Sequence, residues 1–341
     1  MCRLLGYCAR EAVSLAQLIG DEGLSGFTAL SAVHNDGWGM AWYEGTEPQV
    51  HTSLDCAAGA PAYTKLAEQP LGDLGLVHFR WATPGLAITE ANSHPFRYGP
   101  YLMAHNGAIH PQHRLPEMLP PEWEQRLGGT TDSERYFLGI MSRLPSHDGD
   151  VVAAIAAMAS DIERKFAPGS LNALLLSPDK LYAINWHNQA KVPDADLLRR
   201  RGHEPRPGEL ESYFDLAYRV TGDAVVVASS GWPQPGWAVL PNHHVLVCDR
   251  GTLQTSVLPL TAAGTLAGEG TNAGPLAARP ARRPAEMPVL PGHPGIRVAP
   301  AQLARRRPVV RRRPGHTRRS GSRPAQSPAR HPGHRKPAAA G

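Results

Sequence analysis

The final 67 residues of this 341-residue chain, Pro275 to Gly341, hold 13 prolines and no Phe, Trp or Tyr. Such a segment cannot bury enough apolar surface to offset the entropy of ordering it, so disorder is the expectation. Any core must therefore come from the residues before it. The charge divides at the same place: 16 Lys and Arg stand against Glu286 alone in the segment, while the preceding residues carry 19 Lys and Arg against 29 Asp and Glu. The overall net charge of +5 thus joins an acidic body to a basic tail and does not argue for a nucleic-acid-binding fold. Pattern reading places one folded domain over residues 2–262 and a Pro- and Arg-rich basic tail over 263–341.

Within the body, short β-like runs bounded by Gly, Pro, Asn and Asp recur at Arg3 to Cys8, Gly39 to Tyr43, Gly75 to Trp81 and Tyr101 to Asn106. Later runs are Leu171 to Leu176, Leu181 to Asn185, Ala224 to Ser229, His244 to Cys248 and Thr252 to Leu258. Two helical patterns separate the sets. Tyr136, Phe137, Ile140, Met141 and Leu144 recur at helical spacing behind Asp132, read as an N-cap, and Val151, Val152, Ile155, Met158, Ile162 and Phe166 form a second stripe. This order predicts helices packed on antiparallel sheet. Pro193 to Glu211 reads as a loop too polar for a core.

Four scattered cysteines, Cys2, Cys8, Cys56 and Cys248, do not make a disulfide framework and contain no CxxC pair. Cys8, Cys56 and Cys248 read as packing residues. The sixteen histidines, including His243-His244 and His110/His113, lack accompanying ligands at firm spacing, so neither a metal nor a cofactor is expected. The N-terminus has no apolar signal-peptide run and no segment is long and apolar enough to span a bilayer, which points to a soluble cytoplasmic protein without a membrane partner.

Cys2 carries the sharpest chemistry. Once Met1 is removed, its thiol lies beside a free α-amino group, whose pKa of about 7.7 to 8.0 suits a general base near neutrality; nucleophile and base then share one residue. Arg80 and Thr83, in His78-Phe79-Arg80-Trp81-Ala82-Thr83-Pro84-Gly85, are suited to grip a carboxylate. After Asn92-Ser93-His94-Pro95-Phe96 comes His105-Asn106-Gly107, where the Asn106 amide and the Gly107 N–H form a natural oxyanion donor pair. Thr131-Asp132-Ser133-Glu134 sets a carboxylate at a helix start, where it can hold an ammonium. Each feature has a plainer reading: a small buried residue opening a strand for Cys2, a surface ion pair for Arg80, a hairpin turn for Asn106-Gly107, a helix cap for Asp132.

In this order the motifs resemble the type-2 (class II) glutamine amidotransferases, strongly over about residues 2–145 and more weakly to about 258. His34-Asn35-Asp36-Gly37-Trp38-Gly39 with Met40-Ala41-Trp42 is similar to the stand-alone branch, which carries no synthase domain. The resemblance implies an α+β fold, the four-layer αββα N-terminal-nucleophile hydrolase sandwich. It implies Cys2 as nucleophile, Arg80 on the substrate α-carboxylate with Thr83 assisting, Asn106 and Gly107 as oxyanion hole, and Asp132 on the α-ammonium. Two departures stand out. Pro84 follows the R-W-A-T motif where members with proven glutamine specificity usually have His, and Ser230 replaces the Glu of the family's A-S-E-P, so no role is carried to it.

The implied reaction is cleavage of the γ-amide of glutamine, or of a γ-glutamyl compound, through a thioester. Ammonia then passes to a separate acceptor enzyme, or the chain simply hydrolyses γ-glutamyl bonds, as relatives in ergothioneine biosynthesis do; the sequence leaves both open. Two further alternatives are another Cys-type acylase and a catalytically silent binding or regulatory module. The tail's sixteen cations suit salt-sensitive nucleic-acid binding, but the lack of aromatic stacking groups favours a solvated extension or a C-terminus altered by a reading-frame error.

Overall fold

The computed structural model of the protein describes residues 2–83 and 85–260; the basic tail lies outside the described residues. In chain order the elements are β1 (Arg3–Val13), α1 (Leu15–Ala29), β2 (Trp38–Glu44), β3 (Glu47–Ser53), α2 (Pro61–Glu68), β4 (Gly72–Phe79), β5 (Phe96–Tyr98) and β6 (Tyr101–His110). There follow α3 (Pro121–Glu124), α4 (Asp132–Arg143), α5 (Val151–Lys165), β7 (Ala167–Ser177), β8 (Lys180–Asn185) and α6 (Ala195–Arg200). The last are β9 (Leu216–Val220), β10 (Ala224–Ser229), β11 (Ala238–Val239), β12 (His244–Asp249) and β13 (Thr255–Pro259). The strands form two antiparallel sheets, a seven-stranded one in the order β11-β9-β10-β1-β4-β2-β3 and a six-stranded one in the order β13-β12-β8-β7-β6-β5.

Strand alternation explains the layering. Successive side chains point to opposite faces, so Leu4 and Cys8 of β1 join Leu102 and Ala104 of β6 and Leu174 and Leu176 of β7 in an apolar layer between the sheets. The odd residues Leu5 and Tyr7 pack instead with Leu18, Phe27 and Tyr63 of α1 and α2. On the far side Leu171, Ala173 and Leu175 of β7 meet Tyr136, Ile140, Ile155 and Ile162 of α4 and α5. Both faces of each sheet are covered. The central strands therefore read as continuous apolar runs, although their pairing is antiparallel.

The predicted strands recur with moved ends. β6 continues four residues past Asn106 to His110, so Asn106-Gly107 lies inside a strand and not in a hairpin turn. β4 stops at Phe79, which releases Arg80 and Trp81 into the following loop. α4 is capped by Thr131, whose hydroxyl accepts the Glu134 N–H at 3.1 Å; Asp132 is its first residue, not the cap. α1, which the sequence reading missed, begins in a capping box in which Ser14 Oγ accepts the Gln17 N–H and Gln17 Oε1 accepts the Ser14 N–H. Gly20, at φ +75°, interrupts it and breaks its apolar period. The supposed loop from Pro193 contains α6, capped by Asp194 and anchored by the buried Leu198.

Gly39 shows how tightly one connection crosses the sheet: a Cβ there would lie 2.1 Å from the His94 carbonyl oxygen and 2.8 Å from Pro95 Cδ. Backbone cannot yield as a side-chain tip can. Gly39→Ala is expected to cost about 2–4 kcal/mol in urea unfolding, whereas Gly222→Ala, with open space around it, should stay within about 0.5 kcal/mol of wild type.

Candidate active site

The pairing of β1 with β4 sets Arg3 opposite Phe79. One residue beyond on the β1 side is Cys2, and two residues beyond on the β4 side is Trp81. The Trp81 N–H donates to Cys2 Sγ at 3.4 Å, and the Cys2 S–H faces the Trp81 carbonyl at 3.7 Å. Cys2 is buried and has the parity of Leu4, so its thiol faces the layer between the sheets. Burial pushes the thiol pKa up, Asp132 adds to the rise, and the Trp81 N–H and the Arg80 guanidinium oppose it.

Arg80 is buried, not a surface ion-pair residue. Its Nη2 donates to the Ala87 carbonyl at 3.1 Å, and its Nη1 has no hydrogen-bond partner among the described residues. Asn92 Nδ2 donates to the same carbonyl at 3.0 Å, while Asn92 Oδ1 accepts the Thr130 N–H at 2.8 Å. Asn92 thereby ties the loop after β4 to the segment before α4. Behind Arg80 the His78 and His94 rings lie 4.2 Å apart, both held neutral chiefly by burial. Thr83 is half-buried in the same loop, its carbonyl accepting the Leu86 N–H.

On the facing sheet, Asn106 has the parity of Leu102 and Ala104, so its amide projects into the layer that Cys2 faces; Oδ1 is buried without a partner. Gly107 admits no side chain, because a Cβ would lie 1.9 Å from the Ser170 carbonyl oxygen. That carbonyl also accepts from His105 Nε2 at 3.0 Å, and His105 Nδ1 in turn accepts from the Ser133 hydroxyl at 2.9 Å. Burial keeps this imidazole neutral. Asp132 accepts the Ile109 N–H at 2.7 Å and the Ser133 N–H at 2.9 Å, which fixes its carboxylate against β6. The structure thus groups Cys2, Arg80 and Asp132 electrostatically and presents Asn106 and Gly107 from the opposite sheet.

Two residues that the sequence reading left without a role hold the Arg80 loop. Asp36 Oδ2 accepts the Ala82 N–H at 2.9 Å and pairs with Arg201 Nη2 at 3.1 Å; Arg201 Nη1 donates to Asn35 Oδ1 at 3.0 Å. The Arg201 guanidinium also lies 4.8 Å over the Trp81 ring. Backbone bonds reinforce the link, from the Arg80 N–H to the Gly37 carbonyl and from the Asp36 N–H to the Arg80 carbonyl. The His34–Gly39 motif was visible in sequence, but Arg201 sat in the stretch read as loop, where Asp194 before Ala195 was the available helix signal.

The model of the family described as "Glutamine amidotransferases class-II" matches residues 1–255. The chain belongs to the class II glutamine amidotransferases. It is 25% identical over 266 residues to the gamma-glutamyl-hercynylcysteine sulfoxide hydrolase of Mycobacterium tuberculosis, covering 75% of this chain and 97% of that one. It is 28% identical over 187 residues to the putative glutamine amidotransferase YafJ of Escherichia coli, covering 51% and 69%. Against the glutamine–fructose-6-phosphate aminotransferase of Idiomarina loihiensis it is 35% identical over 104 residues, or 29% of this chain, and spans only 16% of that enzyme's length. Among solved structures, a glutamine aminotransferase class-II domain protein from Silicibacter pomeroyi superposes with a TM-score of 0.50 at 18% identity, covering 76% of this chain and all of that one. The B. subtilis glutamine phosphoribosylpyrophosphate amidotransferase gives the same TM-score at 15% identity, over 76% of this chain and 49% of that one. The fold is the family's αββα N-terminal-nucleophile hydrolase sandwich.

In this class II amidotransferase, then, the Asp36–Arg201 pair restrains the loop that touches the cysteine. Arg201→Ala should speed amide hydrogen exchange at Arg80 and Ala82 by about five- to thirtyfold, as loss of a part-buried pair worth about 1–2 kcal/mol requires. Exchange in β10 should be unchanged.

Proposed function

We propose that the protein is an amidohydrolase that cleaves the γ-amide of glutamine or of a γ-glutamyl compound through a Cys2 thioester. The observation that carries this reading is a buried thiol, held by the Trp81 backbone, beside a buried guanidinium with a free N–H. With Met1 removed, the Cys2 α-amine takes the thiol proton and the thiolate attacks the γ-carbonyl carbon. The Asn106 amide and the Gly107 N–H stabilise the oxyanion. The ammonium returns the proton to the departing ammonia or amine, and water then cleaves the thioester to release glutamate. Arg80, assisted by Thr83, pairs with the α-carboxylate and satisfies its free Nη1–H; Asp132 receives the α-ammonium. A burial-raised thiol needs such a base, because little of it ionises unaided near neutrality.

Hydrolysis of a γ-glutamyl compound has a specific point in its favour. The match to the mycobacterial hydrolase spans nearly that whole protein, whereas the match to the fructose-6-phosphate aminotransferase spans 16% of it. Pro84, in place of the His usual in glutamine-specific members, points the same way. Transfer of ammonia to a separate acceptor enzyme is the second reading, and a silent module of the same fold the third. A cytoplasmic location fits four unpaired thiols. Among the described residues no cluster of three or more His, Cys, Asp or Glu suits a metal, and no helix is long and apolar enough to cross a membrane.

Glutamate release from glutamine and from γ-glutamyl dipeptides tests the reading. Cys2→Ala should abolish it, and equal turnover in wild type and variant would sink the mechanism. Asn106→Ala should lower kcat about 10²- to 10³-fold with little change in KM. Because the base must be unprotonated, kcat/KM should climb with pH through the α-amine value of about 7.7 to 8.0; a profile flat from pH 6 to 9 would contradict the assignment.

A further inference from the structure

A second site stands on the other face of β1. A cavity of about 280 Å³ opens between the C-terminal part of α1 and the segment after α6, walled by Arg3, Leu30, Val33, Tyr213 and Trp232 among others. None of Cys2, Arg80, Asn106 and Asp132 lines it. Arg3 has the parity of Leu5 and Tyr7, so it points away from the thiol of its neighbour Cys2.

Arg3 is only 1% exposed. Its guanidinium lies 4.3 Å over the Tyr213 ring and Nη1 donates to the Tyr213 carbonyl at 3.2 Å. No carboxylate lies within ion-pair distance of it among the described residues, and Nε has no partner. The one acid on the wall, Glu209, is already engaged: it accepts from His203 Nε2 at 2.7 Å and from the Arg206 backbone N–H at 3.0 Å, and it pairs with Arg206 Nε at 3.4 Å. The wall thus carries two guanidinium groups and one carboxylate, which pairs with Arg206 and leaves the deeper Arg3 uncompensated. The Tyr213 hydroxyl and His34 Nε2 also lack partners. His34 Nδ1–H donates to the Leu30 carbonyl at 2.7 Å, and burial and the Arg3 charge keep the ring neutral, which leaves Nε2 an acceptor.

A buried cation without a counter-charge is costly, and a cavity beside it gives an anion room to enter. We propose that this cavity binds a small organic carboxylate, with its charge on Arg3 and the Tyr213 hydroxyl and its apolar part against Leu30, Val33 and Trp232. The carboxylate has two possible sources, the amine half of a γ-glutamyl substrate or a separate acid. Arg3 follows Cys2 in the chain, so a ligand that fixes Arg3 also steadies the backbone that carries the thiol.

Binding, not turnover, tests this, so it stands or falls separately from the amidohydrolase reading. The full-length Cys2→Ala protein is titrated with benzoate and with its neutral counterpart benzamide by calorimetry and tryptophan fluorescence. Benzoate should saturate in the low millimolar range, about −4 kcal/mol by the affinity scale, and benzamide should bind at least about tenfold more weakly. Ala29→Trp, at the cavity rim and outside the catalytic set, and Arg3→Met should each remove the benzoate signal. Equal binding of the two probes, no saturation by benzoate, or undiminished binding in Ala29→Trp would overturn the proposal. In the processed wild type, benzoate competing with γ-glutamylglycine but not with glutamine assigns the carboxylate to the substrate's amine half. An equal, non-competitive effect on both assigns it to a separate acid.

Discussion

Everything at the candidate site depends on the antiparallel register of β1 and β4. With Arg3 opposite Phe79, the residue before β1 and the loop after β4 meet, and the Trp81 backbone holds the Cys2 sulfur from both its N–H and its carbonyl. A slip of one residue would exchange the faces of every side chain in β1. It would turn the thiol into the helix-covered layer and bring Arg3 between the sheets. The apolar alternation of Leu4, Leu5, Tyr7 and Cys8, buried on both sides, makes that slip expensive.

The strand skeleton and the motif residues were legible because each has a local signature: apolar runs between turn residues, and short polar motifs at strand ends. The plainer readings of Arg80, Asn106-Gly107 and Asp132 failed for reasons no local pattern carries. Arg80 is buried by a loop tied down through Asn92, and Gly107 is required by a carbonyl of β7, 63 residues away in sequence at Ser170. Asp132 gives up the capping position to Thr131 because its carboxylate is used by β6. Arg201 was illegible for the same reason. Its partners Asn35, Asp36 and Trp81 lie far back in the chain, and a polar stretch gives no hint of which charge will be paired.

The start of β1 separates two buried cationic environments. On the inner face Arg80 lies among neutral imidazoles that add no competing charge, and Asp36 supplies the opposite sign. On the outer face Arg3 rests on an aromatic ring, which offers a cation partial comfort but no counter-ion. Polar groups left unpaired in this way are rare in folded proteins, and they collect where another molecule completes them.

Cys2 is 6% exposed, and the strand it opens is the fourth of seven in its sheet. One neighbour of that strand, β10, is Ala224–Ser229 and is synthesised near the end of the domain. Under the proposed mechanism, a peptidase that trims the initiator methionine has its access while β1 is still unpaired, before β10 docks. In that mechanism, freeing the Cys2 amine and completing the central sheet are therefore ordered events, with trimming first.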